Sequence, residues 1–171
     1  MIKQTLETAL NQQINAEFYS ANLYLSMAAW FSAANLPGFA NWTRVQFEEE
    51  QFHALKFYDY LIQRQGKVLL MAQDAPPTTW ESPLNVFQEI YKHEVKVTGL
   101  INALMDLAIK ESDHAAGMML QWFINEQVEE EANVDGIVQK LKLVKDNPTA
   151  LFMMDQELAT RVFVPPVAPA A

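Results

Sequence analysis

Residues 66–82, GKVLLMAQDAPPTTWES, decide how this chain is put together. The stretch carries two adjacent prolines, Pro76 and Pro77, and no helical periodicity, so it reads as a connection. At 17 residues it is too long for a hairpin turn. Extended at about 3.3 Å per residue it reaches about 56 Å, whereas a helix of about 30 residues is roughly 45 Å long. The segment can therefore carry the chain from one end of a helical bundle back to the other.

Outward from it, the sequence is helical. Before it, one periodic segment runs from about 3 to 34, with Leu6, Leu10, Glu17, Tyr24, Ala28 and Phe31 on one face. ANLPGF, residues 34–39, breaks that segment through Pro37 and Gly38. A second helix is expected from about 38 to 65 with Gly66 as its C-cap, and its stripe is Phe47, Glu50, His53, Ala54, Phe57 and Leu61. After the connection, Ser82 and Pro83 are an N-cap and first-turn proline. They open a third helix with Phe87, Tyr91, Glu94, Ile101, Met105 and Ala108 on one face. Asp113 caps a fourth helix running to about 145, striped by Leu120, Phe123, Gln127, Glu130, Val134, Ile137 and Leu141. Asn147 and Pro148 start a short fifth. The expected fold is all-α: a four-helix bundle with one long crossover over residues 1–145, a short fifth helix over 146–160, and a flexible Pro/Ala-rich tail over 161–171.

Composition narrows the function. A chain of 171 residues, half of them hydrophobic and only five of them glycine, can bury one substantial core. A net charge of −9 argues against nucleic acid and offers no basic patch to an anionic membrane, but suits cations. Without cysteine there are no disulfides, thiolate–metal sites or thiol nucleophiles, which fits a reducing compartment. No apolar run reaches the roughly 18 residues of a membrane span, and MIKQTLETALNQ lacks a signal-peptide core. A cytoplasmic protein is expected.

Six polar residues interrupt the four stripes: Glu17; Glu50 and His53; Glu94; Gln127 and Glu130. Adding 77 to 17, 50 and 53 gives 94, 127 and 130, so the two helical hairpins repeat one pattern. Residues three apart share a helix face, so each i, i+3 pair can converge on one point. Four unpaired carboxylates in an apolar core would each cost on the order of several kcal/mol. No lysine or arginine lies on the stripes at that level. Two divalent cations balance the set, and two iron(III) ions with one bridging oxide carry the same total charge. Oxygen ligands with one imidazole suit iron(II) or manganese; zinc also binds such sets, whereas magnesium and calcium do not call for the histidine.

Tyr24 follows Glu17 by seven residues on the same face, where it either packs or donates a hydrogen bond, or an electron, to the centre. Glu49, Glu126 and Glu129 form a second acidic group beside the first. They are read either as a solvated face or as a third metal position sharing Glu130. Glu48 and Glu131 read as surface residues.

NAEFYSANLYLSMA around Glu17 and Tyr24, FEEEQFHA with Glu50 and His53, YKHEVKVT with Glu94, and FINEQVEEE with Gln127 and Glu130 resemble the bacterial non-haem ferritins, over about residues 1–160. Bundles with one crossover are ferritin-like folds. The resemblance implies a di-iron ferroxidase centre, with Glu17, Glu50 and His53 on one iron and Glu50, Glu94 and Glu130 around the other. Gln127 would adjoin them, and Glu49, Glu126, Glu129 and Glu130 would match a third iron site. It also implies a hollow homo-oligomeric shell of 24 subunits, with the fifth helix around the four-fold axes. Iron(II) would be oxidised by dioxygen or hydrogen peroxide and stored as hydrated ferric oxide. Gln51 stands where a bacterioferritin would carry its haem-ligating methionine, so no haem is expected. Gln127 and Glu130 replace the Glu-x-x-His of bacterioferritins, which suits a site that passes iron on. The alternatives are a ferritin-like redox enzyme that keeps a di-iron cofactor and reduces peroxide, and a metal-free helical interaction module. The buried carboxylates argue against the latter.

Overall fold

The computed structural model describes residues 2–165; Met1 and the tail from 166 to 171 lie outside the described residues. The chain forms α1 (Gln4–Ala33), α2 (Pro37–Gln63), α3 (Pro83–Lys110), α4 (His114–Leu143) and α5 (Pro148–Leu158), with no strand among the described residues. It is an all-α bundle of four long helices with a short fifth. No helix among the described residues is long and apolar enough to cross a membrane.

The connection between α2 and α3 runs the length of α1. Asn11 Nδ2 donates to the Lys67 carbonyl at 2.9 Å, and the Leu69 N–H donates to Asn11 Oδ1 at 2.6 Å. Further on, Asn22 Nδ2 donates to Gln73 Oε1 at 2.5 Å and Ser26 Oγ to the Pro77 carbonyl at 2.6 Å. Trp80 then meets Trp30 with centroids 6.1 Å apart. From Asn11 to Trp30 is about 28 Å of helix, so the crossover is a segment tied down at successive levels, not a free loop.

Caps set the helix ends. Ser82 accepts from the Asn85 N–H at the start of α3, Asp113 from Ala116 at α4 and Asn147 from Ala150 at α5. Asp113 also pairs with Arg64 through two bonds of 3.0 and 2.8 Å, which pins the end of α2 to the start of α4. The C-terminal ends differ from expectation. The left-handed residue after α2 is Gln65 (φ 58°), not Gly66. The Gly66 N–H donates to the Leu61 carbonyl and the Gln65 N–H to that of Ile62, closing the last turn. Asn35 and Ser112 take the same conformation after α1 and α3. At Gly66 the packing is close instead: a Cβ there would lie 3.0 Å from Glu7 Oε2 and 3.1 Å from Leu61 Cδ2, so those side chains would have to shift slightly.

The core is in two parts with a polar layer between them. One apolar cluster gathers Tyr24, Phe31, Phe39, Trp42, Phe87, Ile90 and Leu141; the other gathers Leu6, Leu10, Phe57, Leu61, Ile101, Leu120 and Phe123. Phe57 and Phe123 stack at 3.9 Å, locking α2 to α4. On α3 the buried face is Val86, Phe87, Ile90, Glu94, Val97, Ile101, Leu104 and Ala108. Tyr91, expected on that face, is exposed, and Met105 only packs against its edge.

α5 is docked by a charge-assisted cap. The buried Asp155 carboxylate accepts from the N–H groups of Gly38 and Phe39 at 2.8 and 3.0 Å, satisfying donors at the N-terminus of α2. A Cβ on Gly38 would fall 1.6 Å from the Asp155 carbonyl oxygen, so only glycine permits this approach. Asp155→Ala strands two buried donors at about 1–3 kcal/mol each. We expect either Asp155→Ala or Gly38→Ala to release α5, seen as proteolytic cleavage between α4 and α5 that spares the parent protein. Equal resistance in the variants would contradict this role.

Candidate metal centre

Glu17 from α1 and Glu50 and His53 from α2 bring one ligand atom each to within 4.8 Å of one another, the one such group among the described residues. Burial of Glu17 and Glu50 follows from their place on the apolar stripes. Glu17 Oε1 accepts from Gln13 Nε2 at 2.9 Å, while its Oε2 is buried without a partner. Glu50 Oε2 likewise accepts from no protein N–H or O–H donor and lies 3.6 Å from His53 Nδ1. The Glu17 and Glu50 carboxyls lie within hydrogen-bonding reach of each other, so a proton on one is shared with the other. Orphaned buried carboxylate oxygens are expensive and therefore rare. The imidazole is held by α4, edge-on to Trp122 and Phe123 at 5.5 and 5.8 Å between centroids.

Glu94, Gln127 and Glu130 are buried in the same layer; the two carboxylates accept from protein donors, and Gln127 is one of those donors. Tyr24 Oη donates to Glu94 Oε1. Gln127 Nε2 lies 3.3 Å from Glu94 Oε2, 3.3 Å from the Glu94 carbonyl and 3.2 Å from Thr98 Oγ1. Thr98 donates onward to Glu131 Oε1 at 2.5 Å, so Glu131 is tied to the layer and is not the plain surface residue expected. Gln46 Nε2 reaches across from α2 to Glu130 Oε2 at 3.0 Å.

Electrostatically the layer is frustrated. Burial, then the Glu50 charge, pushes Glu17 well above the usual carboxylate range. Glu50 is raised as strongly by burial and by Glu94 and Glu130. Burial raises Glu94 too, against the hydrogen bonds from Tyr24 and Gln127, and lifts Glu130 to about 8 with help from Glu94 and Glu49. Tyr24 is pushed well above its ordinary value by burial and the carboxylates around it, so its hydroxyl stays a donor. The arrangement favours protons or cations at one place in the core.

The second acidic group is less assembled. Glu49 is part-buried, Glu126 is half-buried with its carboxyl raised by burial, and Glu129 is exposed. Glu49 Oε2 accepts from Arg161 Nη2 at 2.7 Å. The basic partner absent from the stripes thus arrives from beyond α5, 112 residues away in sequence. It also shows that the stretch expected to be flexible from 161 is anchored at its start. Gln13 and Gln46 went unnoticed in the sequence, although each lies four residues before a stripe carboxylate, Glu17 and Glu50, and so on the same helix face.

Comparison with known proteins agrees with this architecture. The family model described as a ferritin-like domain matches residues 7–144. A bacterial non-heme ferritin of Bacteroides fragilis is 43% identical over 161 residues, covering 94% of this chain and all of that protein. One from Staphylococcus saprophyticus is 40% identical over 163 residues, 95% of this chain and 98% of its own. Among solved structures, an open-pore ferritin of the hyperthermophilic archaeon Archaeoglobus fulgidus superposes with a TM-score of 0.93 at 48% identity, covering 94% of this chain and 98% of that one. A closed form of the Archaeoglobus fulgidus ferritin made by site-directed mutagenesis gives 0.95 at 48% identity, over 96% of this chain and 100% of that one. The helical bundle therefore has a recognised lineage: this chain belongs to the ferritin family, among the relatives of the bacterial non-haem ferritins.

Proposed function

We propose that this chain is a ferroxidase that takes up iron(II) in pairs, oxidises it and stores the product as hydrated ferric oxide inside a shell of 24 copies. The observation that carries the reading is the convergence of Glu17 and Glu50, two buried carboxyls whose Oε2 atoms accept from no protein donor but at best share a proton, on His53. In this reading Glu17, Glu50 and His53 hold one iron and Glu50, Glu94 and Glu130 the other. Iron is substrate here, and two iron(II) ions give up two electrons, reducing dioxygen to hydrogen peroxide or hydrogen peroxide to water.

The protein's own part is positioning and charge. The carboxyls that burial keeps protonated exchange those protons for metal, so iron(II) binds more tightly as the pH rises toward the Glu130 value of about 8. Tyr24 and Gln127 hold Glu94 in place, and Tyr24 can also supply an electron. Gln46 does the same for Glu130. Glu49, Glu126 and Glu129 with Glu130 are the residues proposed to receive oxidised iron from the pair on its way to the cavity, a third position that fills only after the first two. Phe152 and Met153, exposed on α5, are the apolar side chains that copies would bury around the four-fold axes. The acidic, cysteine-free chain suits the cytoplasm.

Two measurements test this together. The native particle should have a mass of about 470 kDa, for 24 subunits of 19.5 kDa, and should acquire an electron-dense core from iron(II) in air. His53→Ala should assemble equally and oxidise iron at least about 10–100-fold more slowly, since altering even the outer-shell partners of metal ligands typically costs that much. A monomer or dimer without mineral, or an unchanged rate in His53→Ala, would sink the assignment.

A further inference from the structure

The four tryptophans fall into two pairs. Trp30 and Trp80 meet each other where the crossover ends. Trp42 and Trp122 instead flank the buried layer, each edge-on to a residue of the centre. Trp42 meets Tyr24 with centroids 6.4 Å apart, and Trp122 meets His53 at 5.5 Å. A cation caps each of these two rings. The Arg161 guanidinium lies 4.5 Å from the centroid of Trp42, and Lys56 Nζ lies 4.3 Å from that of Trp122. Among the described residues, no lysine or arginine caps Trp30 or Trp80. Each capping cation also has a carboxylate beside it: Arg161 donates to Glu49 Oε2 at 2.7 Å, and Lys56 feels the charge of Glu126. In a chain without cysteine, indole and phenol are the side chains that lose a single electron most readily.

We propose that Lys56 and Arg161 protect the two tryptophans beside the centre from oxidation, so that an oxidising equivalent stays on Tyr24 until iron(II) reduces it. The proposal rests on the ferroxidase reading above. The hazard arises when hydrogen peroxide meets a subunit holding a single iron(II). Iron(II) and Tyr24 then each give one electron, the O–O bond breaks to leave two hydroxides, and the Tyr24 proton passes to Glu94, to which its hydroxyl already donates. From there Trp42 can return an electron to Tyr24, whose proton comes back from Glu94, and is left as a radical cation. Trp122, beside His53, can supply the same electron in place of Tyr24. A cation over an indole stabilises the neutral ring and repels the radical cation, so both effects oppose the transfer. Without the capping cation, the ring would face the remaining carboxylate, Glu49 or Glu126, which favours the radical cation instead. Lys56 and Arg161 are positioning residues: each acts through a ring and touches no reacting atom.

The test loads the assembled full-length protein with one iron(II) per subunit, adds hydrogen peroxide in air, and reads each tryptophan by peptide mass spectrometry. An indole radical cation that loses its proton adds dioxygen, so oxygenated residues record where the electron came from. Lys56→Gln should raise oxygenation of Trp122 at least about fivefold and leave Trp42 at the parent level. Arg161→Gln should do the reverse, and Lys56→Arg and Arg161→Lys should both behave as the parent. Hydroxyl radicals made by radiolysis without iron attack any exposed ring, so equal radiolytic oxygenation in parent and variants separates the charge effect from uncovering. Equal oxygenation of Trp42 and Trp122 in the parent and both glutamine variants, or a rise matched under radiolysis, overturns the proposal. Peroxide consumption in the same samples keeps the two readings apart. If the parent with iron(II) consumes peroxide no faster than iron(II) in buffer, the ferroxidase reading fails and takes this proposal with it.

Discussion

Saturating zinc(II), or iron(II) without oxygen, is expected to raise the thermal unfolding midpoint by about 8–16 °C for each site filled. A ligand that binds only the folded state stabilises it by about 4 kcal/mol at 1,000 times its Kd. For a domain of this size each kcal/mol moves the midpoint by about 2–4 °C. The gain is large because the metal also relieves a strain already present: four buried carboxyls, two of them with an unpartnered oxygen. The same strain gives the metal-free protein an unusual pH dependence. Glu17, Glu50, Glu94 and Glu130 bind protons more tightly folded than unfolded. Their contribution is complete below the ordinary carboxylate value of 4.5 and is lost as the pH rises through their folded values, about 8 for Glu130. Metal-free protein should therefore melt lower at pH 8.5 than at pH 5.5, and metal should close that gap. Matching melting curves with metal and with chelator at both pH values would mean that the layer binds no cation.

Glu50→Gln should separate stability from function. The amide keeps the volume of the side chain and removes its charge. At pH 8.5 the metal-free variant should melt at the same temperature as the parent or higher, since one of four crowded carboxylates is gone. Fast iron oxidation should fall by at least about 100-fold, beyond the upper end of losses from altering outer-shell partners of metal ligands, because Glu50 is the carboxylate proposed to serve both irons. Opposite movement of the two readouts marks a residue kept for chemistry at a cost in stability. Parallel loss of both would make Glu50 a structural residue.

The long elements were legible because periodicity and breakers agree: Pro83 and Pro148 each open the helix expected of them, and Pro37, read as a breaker, is the first residue of α2. The six polar residues of the layer were legible for the same reason, since a charge on an apolar stripe stands out and the offset of 77 repeats it. On α3 the signal was ambiguous by one residue. Ile90 and Tyr91 are adjacent apolar residues, and only packing against the other helices selects Ile90. Helix ends were misread where Gln65 adopts a left-handed conformation that local rules assign to glycine. Arg161 was invisible as a partner because nothing in its local sequence brings it to Glu49. Asp155, seven residues beyond the proline that opens α5, gave no sign that it caps α2.

The most direct test of the central claim is oxygen uptake during stepwise addition of iron(II) to the metal-free, assembled protein. If the buried layer is a two-iron oxidising centre, a fast phase should grow with each addition and saturate at two iron(II) per subunit, and it should be missing from Glu50→Gln. Oxidation that proceeds at the rate of iron(II) in buffer, with no break at two per subunit, would contradict it.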